Sequence, residues 1–320
     1  MLAVFIDSKQ IVMRQVDVPK RPPGYALIRL RVAGICNTDL ELQRGYYGFS
    51  GIPGHEFVGH VVDADTSALL GQRVVGEINL ACGDCSFCTV GLGRHCDSRT
   101  VLGIVKHPGA FAELLTLPEG NLRVVPEHVT DEQAVFTEPL AAACEILEQV
   151  EVARGVEVAV LGDGKLGLLI AQTLLAHGAR VTVYGRHTDK LAIAKRAGAV
   201  VSDSVERPAG AFPIVVDSTG SADGLRQAVS MVRPRGTVVM KSTVHNEVTI
   251  DTAPIIVNEI TLVGSRCGLF DPAMALLSAG KVDVASLVAA EFPLSEAPAA
   301  FAKASERGVL KVLLRNTQAS

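Results

Sequence analysis

Residues 156–162, VEVAVLG, form an almost unbroken apolar run that passes straight into GDGKLG. After it comes a stretch whose Leu166, Leu169, Ile170, Thr173 and Leu174 share one helical face. The order strand, glycine turn, helix admits few folds. The spacing Gly162-x-Gly164-x-x-Gly167 in that context is a dinucleotide fingerprint, because side-chain-free positions let the backbone and a helix N-terminus approach a pyrophosphate. Gly162, Gly164, Lys165, Leu166 and Gly167 are therefore the candidate pyrophosphate cradle. Further apolar runs, ARVTVYG, PIVVDST, GTVVMK and ITLVGS, alternate with helical stretches and predict a six-stranded, doubly wound parallel sheet. The strand ARVTVYG should end in the acid that reads the coenzyme ribose, yet it ends in Gly185-Arg186-His187. Loss of that acid removes repulsion of a 2′-phosphate, and Arg186 with His187 offers positive charge, so NADP is expected in preference to NAD. The alternative is that Arg186 is a solvated loop charge and NAD binds.

The N-terminal part has a different texture. LAVFI, IVMRQV and ALIRLRVAG alternate apolar and polar residues, with a Pro-Pro-Gly turn at 22–24, and FVGHVV and RVVGEI continue the pattern, so this half is read as β. With 320 residues, 48% of them hydrophobic, the chain can bury a large core and divide in two. A net charge of −4 without a basic run argues against a nucleic-acid surface. No apolar run approaches the ~18 residues of a membrane helix, and the N-terminus meets charge at Asp7, so neither a membrane partner nor a signal peptide is expected. Seven cysteines without a secretory signal point to a reducing compartment and a cytoplasmic location, where cysteine clusters more often hold metal than form disulfides.

Cys82-Gly-Asp-Cys85-Ser-Phe-Cys88, closed by Cys96, suits a tetrahedral, all-thiolate structural zinc site; two disulfides are the alternative, and His95 is a competing ligand. A second set of donors lies in GICNTDLELQRGYYGFSGIPGHE, where Cys36, His55 and Glu56 offer sulfur, nitrogen and oxygen to a catalytic zinc. In FTEPLAAACEILEQV, Glu138 precedes Pro139 at a predicted helix start. A long carboxylate there is either a favourable helix-end charge or a further zinc ligand. Cys144 falls on the apolar face of that helix and is read as core.

Taken together, GICNTD, GHE, the four-cysteine lobe, EPLA and the glycine fingerprint resemble the zinc-containing medium-chain alcohol and polyol dehydrogenases, over essentially the whole chain. Glutamate in EPLA is similar to the sorbitol, threonine and glucose dehydrogenase branches. The resemblance implies a GroES-like β domain over 1–137 and 271–320, carrying the lobe at 80–98, and a Rossmann dinucleotide-binding domain over 138–270. It implies two zinc ions per chain, NADP or NAD, and hydride transfer between an alcohol (polyol, sugar or secondary alcohol) and its carbonyl. It also gives roles: Cys36, His55 and a glutamate, Glu56 or Glu138, as zinc ligands, Thr38 as a proton relay towards Glu41, Asp39 as an orienting carboxylate, and Lys311 as a basic residue meeting the pyrophosphate. A homo-oligomer, dimer or tetramer, is expected. The abbreviated loop DADTSALLGQ departs from the family pattern and bears on the substrate pocket. Two rival readings are a zinc-free enone or quinone reductase on the same fold and a non-catalytic NADPH-binding protein.

Overall fold

The structure is a computed structural model that describes residues 1–242 and 247–317. The chain divides into two compact units, Met1–Glu138 with Leu287–Ser320, and Pro139–Ser286. The second crossing therefore falls at 286/287 and not at the expected 270/271. The reason is local: the Gln172 amide accepts from Asp283 N at 2.6 Å and donates to Asp283 O at 3.2 Å, while Arg196 donates to Ser286 Oγ at 3.1 Å. These bonds tie the segment after helix Phe270–Ser278 to helices of the second unit.

In the first unit, the long strand Tyr25–Ile35 organises a seven-stranded sheet. Along one edge it pairs antiparallel with Glu56–Asp63, which leads on to Arg73–Gly76 and Leu122–Val124; Leu114–Pro118 pairs with its N-terminal half. Along the other edge, Lys311–Arg315 inserts between it and Val288–Pro293, as the β character of VLKVLLR foretold. Alternation puts Ala26, Ile28, Leu30 and Val32 fully inside, consistent with a period-2 strand that buries one face. The register brings Gly34 opposite both Glu56 and Leu313. Glu56 and the C-terminal strand thus meet beside the turn that carries Cys36. A small lobe with strands Asn79–Leu80, Thr100–Leu102 and Lys106–His107 holds the four-cysteine segment.

The second unit is the expected six-stranded parallel sheet, in the order Val200–Ser202, Arg180–Tyr184, Glu157–Leu161, Phe212–Asp217, Val232–Met240, Thr261–Gly264. Ala159, Leu161, Val215, Val238, Ala228 and Met231 form part of its core, so burial on both faces accounts for the continuous apolar runs. The order reverses at Glu157–Leu161, and the crevice beyond the carboxyl end of such a strand is where dinucleotides bind in open α/β sheets. The glycine turn follows that strand directly.

Candidate active site and coenzyme site

Cys36 caps the eight-residue helix Asn37–Arg44 and offers its sulfur from a loop in extended conformation. His55 comes just before the strand opposite, which Glu56 begins. Ligand atoms of Cys36, His55 and Glu56 all lie within 4.8 Å of one another. Asp39 builds this geometry from inside the protein, 0% exposed: one oxygen accepts from Cys36 N at 2.8 Å, and the other accepts from Gly54 N at 3.1 Å and lies 3.4 Å from His55 Nδ1. Gly54 has φ +105°, and a Cβ there would stand 2.4 Å from the Phe111 ring, so only glycine lets the chain turn here and aim His55 inward. Burial disfavours the imidazolium, but the charges of Asp39 and Cys36 outweigh it and raise the His55 pKa well above its ordinary value. His55 Nδ1 faces Asp39, and Glu56 Oε1 is buried without a hydrogen-bond partner. An imidazole held by a carboxylate, an unpartnered carboxylate oxygen and a thiol, converging on one point, are the donor set a zinc ion takes, so these residues fit the metal. Thr38 Oγ1 lies 3.7 Å from the Cys36 sulfur.

The lobe passes a geometric test. A zinc ion bound by four thiolates at about 2.3 Å sets the sulfurs about 3.8 Å apart. Here Cys82 lies 3.4 Å from Cys96 and 3.9 Å from Cys88, and Cys85 lies 3.5 Å from Cys88, sulfur to sulfur. All seven cysteines are free thiols, which sets aside the disulfide alternative, and His95 is exposed while Cys96 closes the group. The backbone N–H of Cys88 aimed at Cys85 lowers that thiol to about 6, whereas the Asp84 side chain pushes the neighbouring Cys82 thiol up and burial pushes up that of Cys88.

In the second unit, Gly162 adopts φ +110° and a Cβ on Gly167 would stand 2.1 Å from Gly162 O, whereas a Cβ on Gly164 would meet nothing within 4 Å. Two glycines close the turn against the helix, and the third leaves its outer side open for a pyrophosphate, so this cradle fits the coenzyme. Gly164 caps helix Lys165–His177, whose first turn contains Lys165 and Leu166. Asp163 does something the pattern did not announce. Its carboxylate reaches across to the end of strand Arg180–Tyr184, where Oδ2 accepts from Arg186 N and His187 N, both at 2.7 Å, and His187 Nδ1 lies 3.0–3.1 Å from the two oxygens. Burial opposes its ionisation, but the two N–H groups and the imidazole hold the carboxyl below the usual aspartate range. Arg186 is exposed. The imidazole of His187, expected to offer charge outward, is instead turned to Asp163.

Residues 22–127 match the alcohol dehydrogenase GroES-like domain and residues 166–279 the zinc-binding dehydrogenase domain. The D-altritol 5-dehydrogenase of Agrobacterium fabrum is 32% identical over 96% of this chain and 97% of its own. The chain belongs to the zinc-containing medium-chain alcohol and polyol dehydrogenases. Two solved structures superpose on nearly all of it: a zinc-binding dehydrogenase from Sinorhizobium meliloti bound to NADP, at TM-score 0.91 and 28% identity over 98% of each chain, and an alcohol dehydrogenase from Escherichia coli complexed with NADH, at TM-score 0.91 and 25% identity over 98% of this chain and 99% of that one. As a member of this family it is a zinc-dependent, NAD(P)-linked alcohol dehydrogenase built from a GroES-like and a Rossmann-type domain.

Within this dehydrogenase, Lys311 has a partner that the resemblance did not give it. The side chain is 1% exposed and makes a close ion pair with Glu56 Oε2, with Ile35 O at 3.4 Å. Burial opposes its charge, and Glu56, then Cys36, overrides that and raises its pKa, with Glu138 contributing further. Gly34 makes room for the pair: a Cβ there would stand 2.4 Å from Glu56 Oε2 and 3.3 Å from Lys311 Cδ. Glu138, half-buried on helix Thr137–Gln149, lies outside the Cys36, His55 and Glu56 group. Asp163 escaped the sequence reading, although an acid inside a phosphate-binding glycine turn is electrostatically out of place and was the signal to follow. Arg207, which lies near the same strand end, had no such signal. Among the described residues, no helix is long and apolar enough to cross a membrane.

Proposed function

We propose that this chain oxidises a polyol or sugar alcohol to the carbonyl with NADP as the preferred coenzyme, using a zinc ion held by Cys36, His55 and Glu56, and a second zinc held by Cys82, Cys85, Cys88 and Cys96. The observation that carries the reading is the convergence of three chemically matched donors, His55 and Glu56 buried and Cys36 half-buried, with Glu56 Oε1 left without a hydrogen-bond partner. Zinc there would supply Lewis acidity, easing loss of the substrate hydroxyl proton. Thr38, whose hydroxyl lies 3.7 Å from the Cys36 sulfur, would relay that proton, accepting it as its own O–H proton is handed outward in the direction of Glu41 and solvent. Asp39 holds the Cys36 and Gly54 amides and faces His55, so the donors stay aimed without reorganisation. Lys311 takes one oxygen of Glu56 and leaves Oε1 for the metal. Glu138 stands in reserve as a further ligand. The hydride goes to the nicotinamide, whose electronics belong to the coenzyme.

The polyol class follows the altritol dehydrogenase relative. The NADP preference rests on Gly185 in place of an acid and on the exposed Arg186 charge beside it. We also read the enzyme as a cytoplasmic homo-oligomer. Among the described residues, nothing pairs with the outer edge of Thr261–Gly264, and Ile256 and Val257 nearby are 73% and 78% exposed, a combination that invites a second copy. The deciding experiment joins metal analysis with a screen of NADP- and NAD-linked oxidation over polyols, aldoses, amino alcohols and secondary alcohols. Two zinc ions per chain, falling to one in Cys36→Ser, with NADP-linked polyol turnover, are expected. One zinc in the wild type with enone or quinone reduction would favour the rival reductase. Arg186→Ala should weaken NADPH binding by roughly 10- to 100-fold, the worth of a charge-assisted hydrogen bond.

A further inference from the structure

Arg207 lies in the loop after strand Val200–Ser202, and its guanidinium carbon stands 4.8 Å from the centre of the Tyr184 ring. Tyr184 is the last residue of the strand that leads into Gly185 and Arg186, and its ring is held edge-on by Phe212 at 6.1 Å and 85°. The guanidinium is thus seated on a fixed aromatic platform at the carboxyl end of the parallel sheet. Its Nε and Nη1 are buried and have no hydrogen-bond partner, and among the described residues no carboxylate forms an ion pair with it. A half-buried guanidinium with two of its nitrogens out of water and given no acceptor is costly to keep unless something else supplies the acceptor. Its surroundings add to the cost: burial lowers the Arg207 pKa, and the nearby Arg186 charge lowers it further, against partial support from Tyr184 and Asp223. Two like charges gathered beside the ribose end of a dinucleotide cradle lack a dianion. The imidazole of His187 does not compete for that role, since its Nδ1 is committed to Asp163.

We propose that Arg207 is the second cation of the coenzyme site, binding the 2′-phosphate of NADP jointly with Arg186. The proposal rests on the NADP reading given above. The guanidinium fork matches a phosphate through paired N–H donors, while stacking on Tyr184 fixes its plane before the ligand arrives. Arg186, exposed on the loop that Asp163 pins, supplies the second point of attachment. Tyr184 is a positioning residue in this arrangement, acting through Arg207.

The test is a fluorescence titration of NADPH and NADH against the wild type, Arg186→Ala, Arg207→Gln and Arg207→Lys, with competition by 2′-AMP and 5′-AMP. Glutamine keeps a planar, polar group on the tyrosine face without the charge. It should weaken NADPH and 2′-AMP by at least about 10-fold and leave NADH and 5′-AMP within about twofold. Lysine, a point charge without the fork, should fall between wild type and glutamine, and it serves as the readout should the glutamine variant fail to fold. An unchanged NADPH to NADH ratio in both Arg207 variants, with Arg186→Ala still abolishing the preference, overturns the role of Arg207 alone. Equal weakening of both coenzymes also overturns it, because that marks adenine stacking. Equal affinities in the wild type bring down the NADP reading and this proposal with it.

Discussion

Gly185→Asp, the substitution that would rebuild the ribose-reading acid at the strand end, should fail on its own. A Cβ at 185 would stand 2.6 Å from both Cβ and Oδ2 of Asp163 and 2.8 Å from its Cγ, closer than real Cβ atoms approach their neighbours. Asp163 cannot simply move aside, because it satisfies two backbone N–H groups at 2.7 Å and the His187 imidazole. Overpacking of this kind costs roughly 1–3 kcal/mol, and giving up even one hydrogen bond to a charged group adds roughly 1.5–3 kcal/mol. The total, about 2.5–6 kcal/mol, corresponds to a fall of roughly 5–25 °C in the melting temperature of a unit of this size. The incoming carboxylate also faces a like charge. Asp163→Gly combined with Gly185→Asp leaves one carboxylate in the same place, and should recover most of the lost stability with a coupling of at least ~2 kcal/mol between the two sites. The double variant should also shift binding from NADPH towards NADH. Thermal unfolding of the four proteins and titration with both coenzymes test this. A Gly185→Asp variant that melts with the wild type, or a double variant no more stable than Gly185→Asp alone, refutes the claim that Asp163 occupies the missing side chain's place.

Three further outcomes are expected. A chelator should remove the metal of Cys36, His55 and Glu56, and activity with it, while the four-thiolate ion and the fold persist; loss of both metals together with unfolding, followed by metal analysis and circular dichroism, contradicts this. Glu56→Gln should lower zinc affinity and also destabilise the first unit by about 3–5 kcal/mol, because it leaves the Lys311 ammonium buried without its counter-charge, whereas Glu138→Gln should lower zinc affinity with a smaller effect on melting. Asp163 has a folded pKa below its unfolded value near ~3.9, so its stabilising contribution is present above that value and lost as pH falls through the folded one. The stability gap between wild type and Asp163→Asn in urea should therefore be widest near neutral pH and close below about pH 4; a gap that grows on acidification is the contrary result.

The Rossmann sheet was legible because its strands are buried on both faces and announce themselves as apolar runs, and because glycines at 162 and 167 have steric reasons that survive in the spacing alone. The four-cysteine lobe was equally plain, since its ligands are local in sequence. Cys36, His55 and Glu56 could be gathered because two of them are adjacent and the third is less than 20 residues away. What could not be read was long-range. Lys311 meets Glu56 across 255 residues, and a basic residue on a terminal strand looks the same whether it faces a phosphate or a buried carboxylate. Asp163 and Arg207 reach the end of Arg180–Tyr184 from two separate loops, and no periodicity reports where a loop side chain lands. The return point at 286/287 was missed for the same reason, because side-chain bonds from Gln172 and Arg196 set it and not a change of texture.

The pairing of Lys311–Arg315 with Tyr25–Ile35, strands at opposite ends of the sequence, has a consequence for synthesis. On the ribosome the first unit's sheet emerges with one edge of Tyr25–Ile35 uncovered and Glu56 a charge without its ammonium, until Val288–Pro293 and Lys311–Arg315 have followed the second unit. The contiguous second unit, by contrast, is complete well before then and can close early. Every molecule must therefore hold an open sheet in waiting during translation. Prematurely terminated chains would carry a finished nucleotide-binding unit attached to an unfinished sheet edge, which is the form of this protein most exposed to aggregation and most in need of a chaperone.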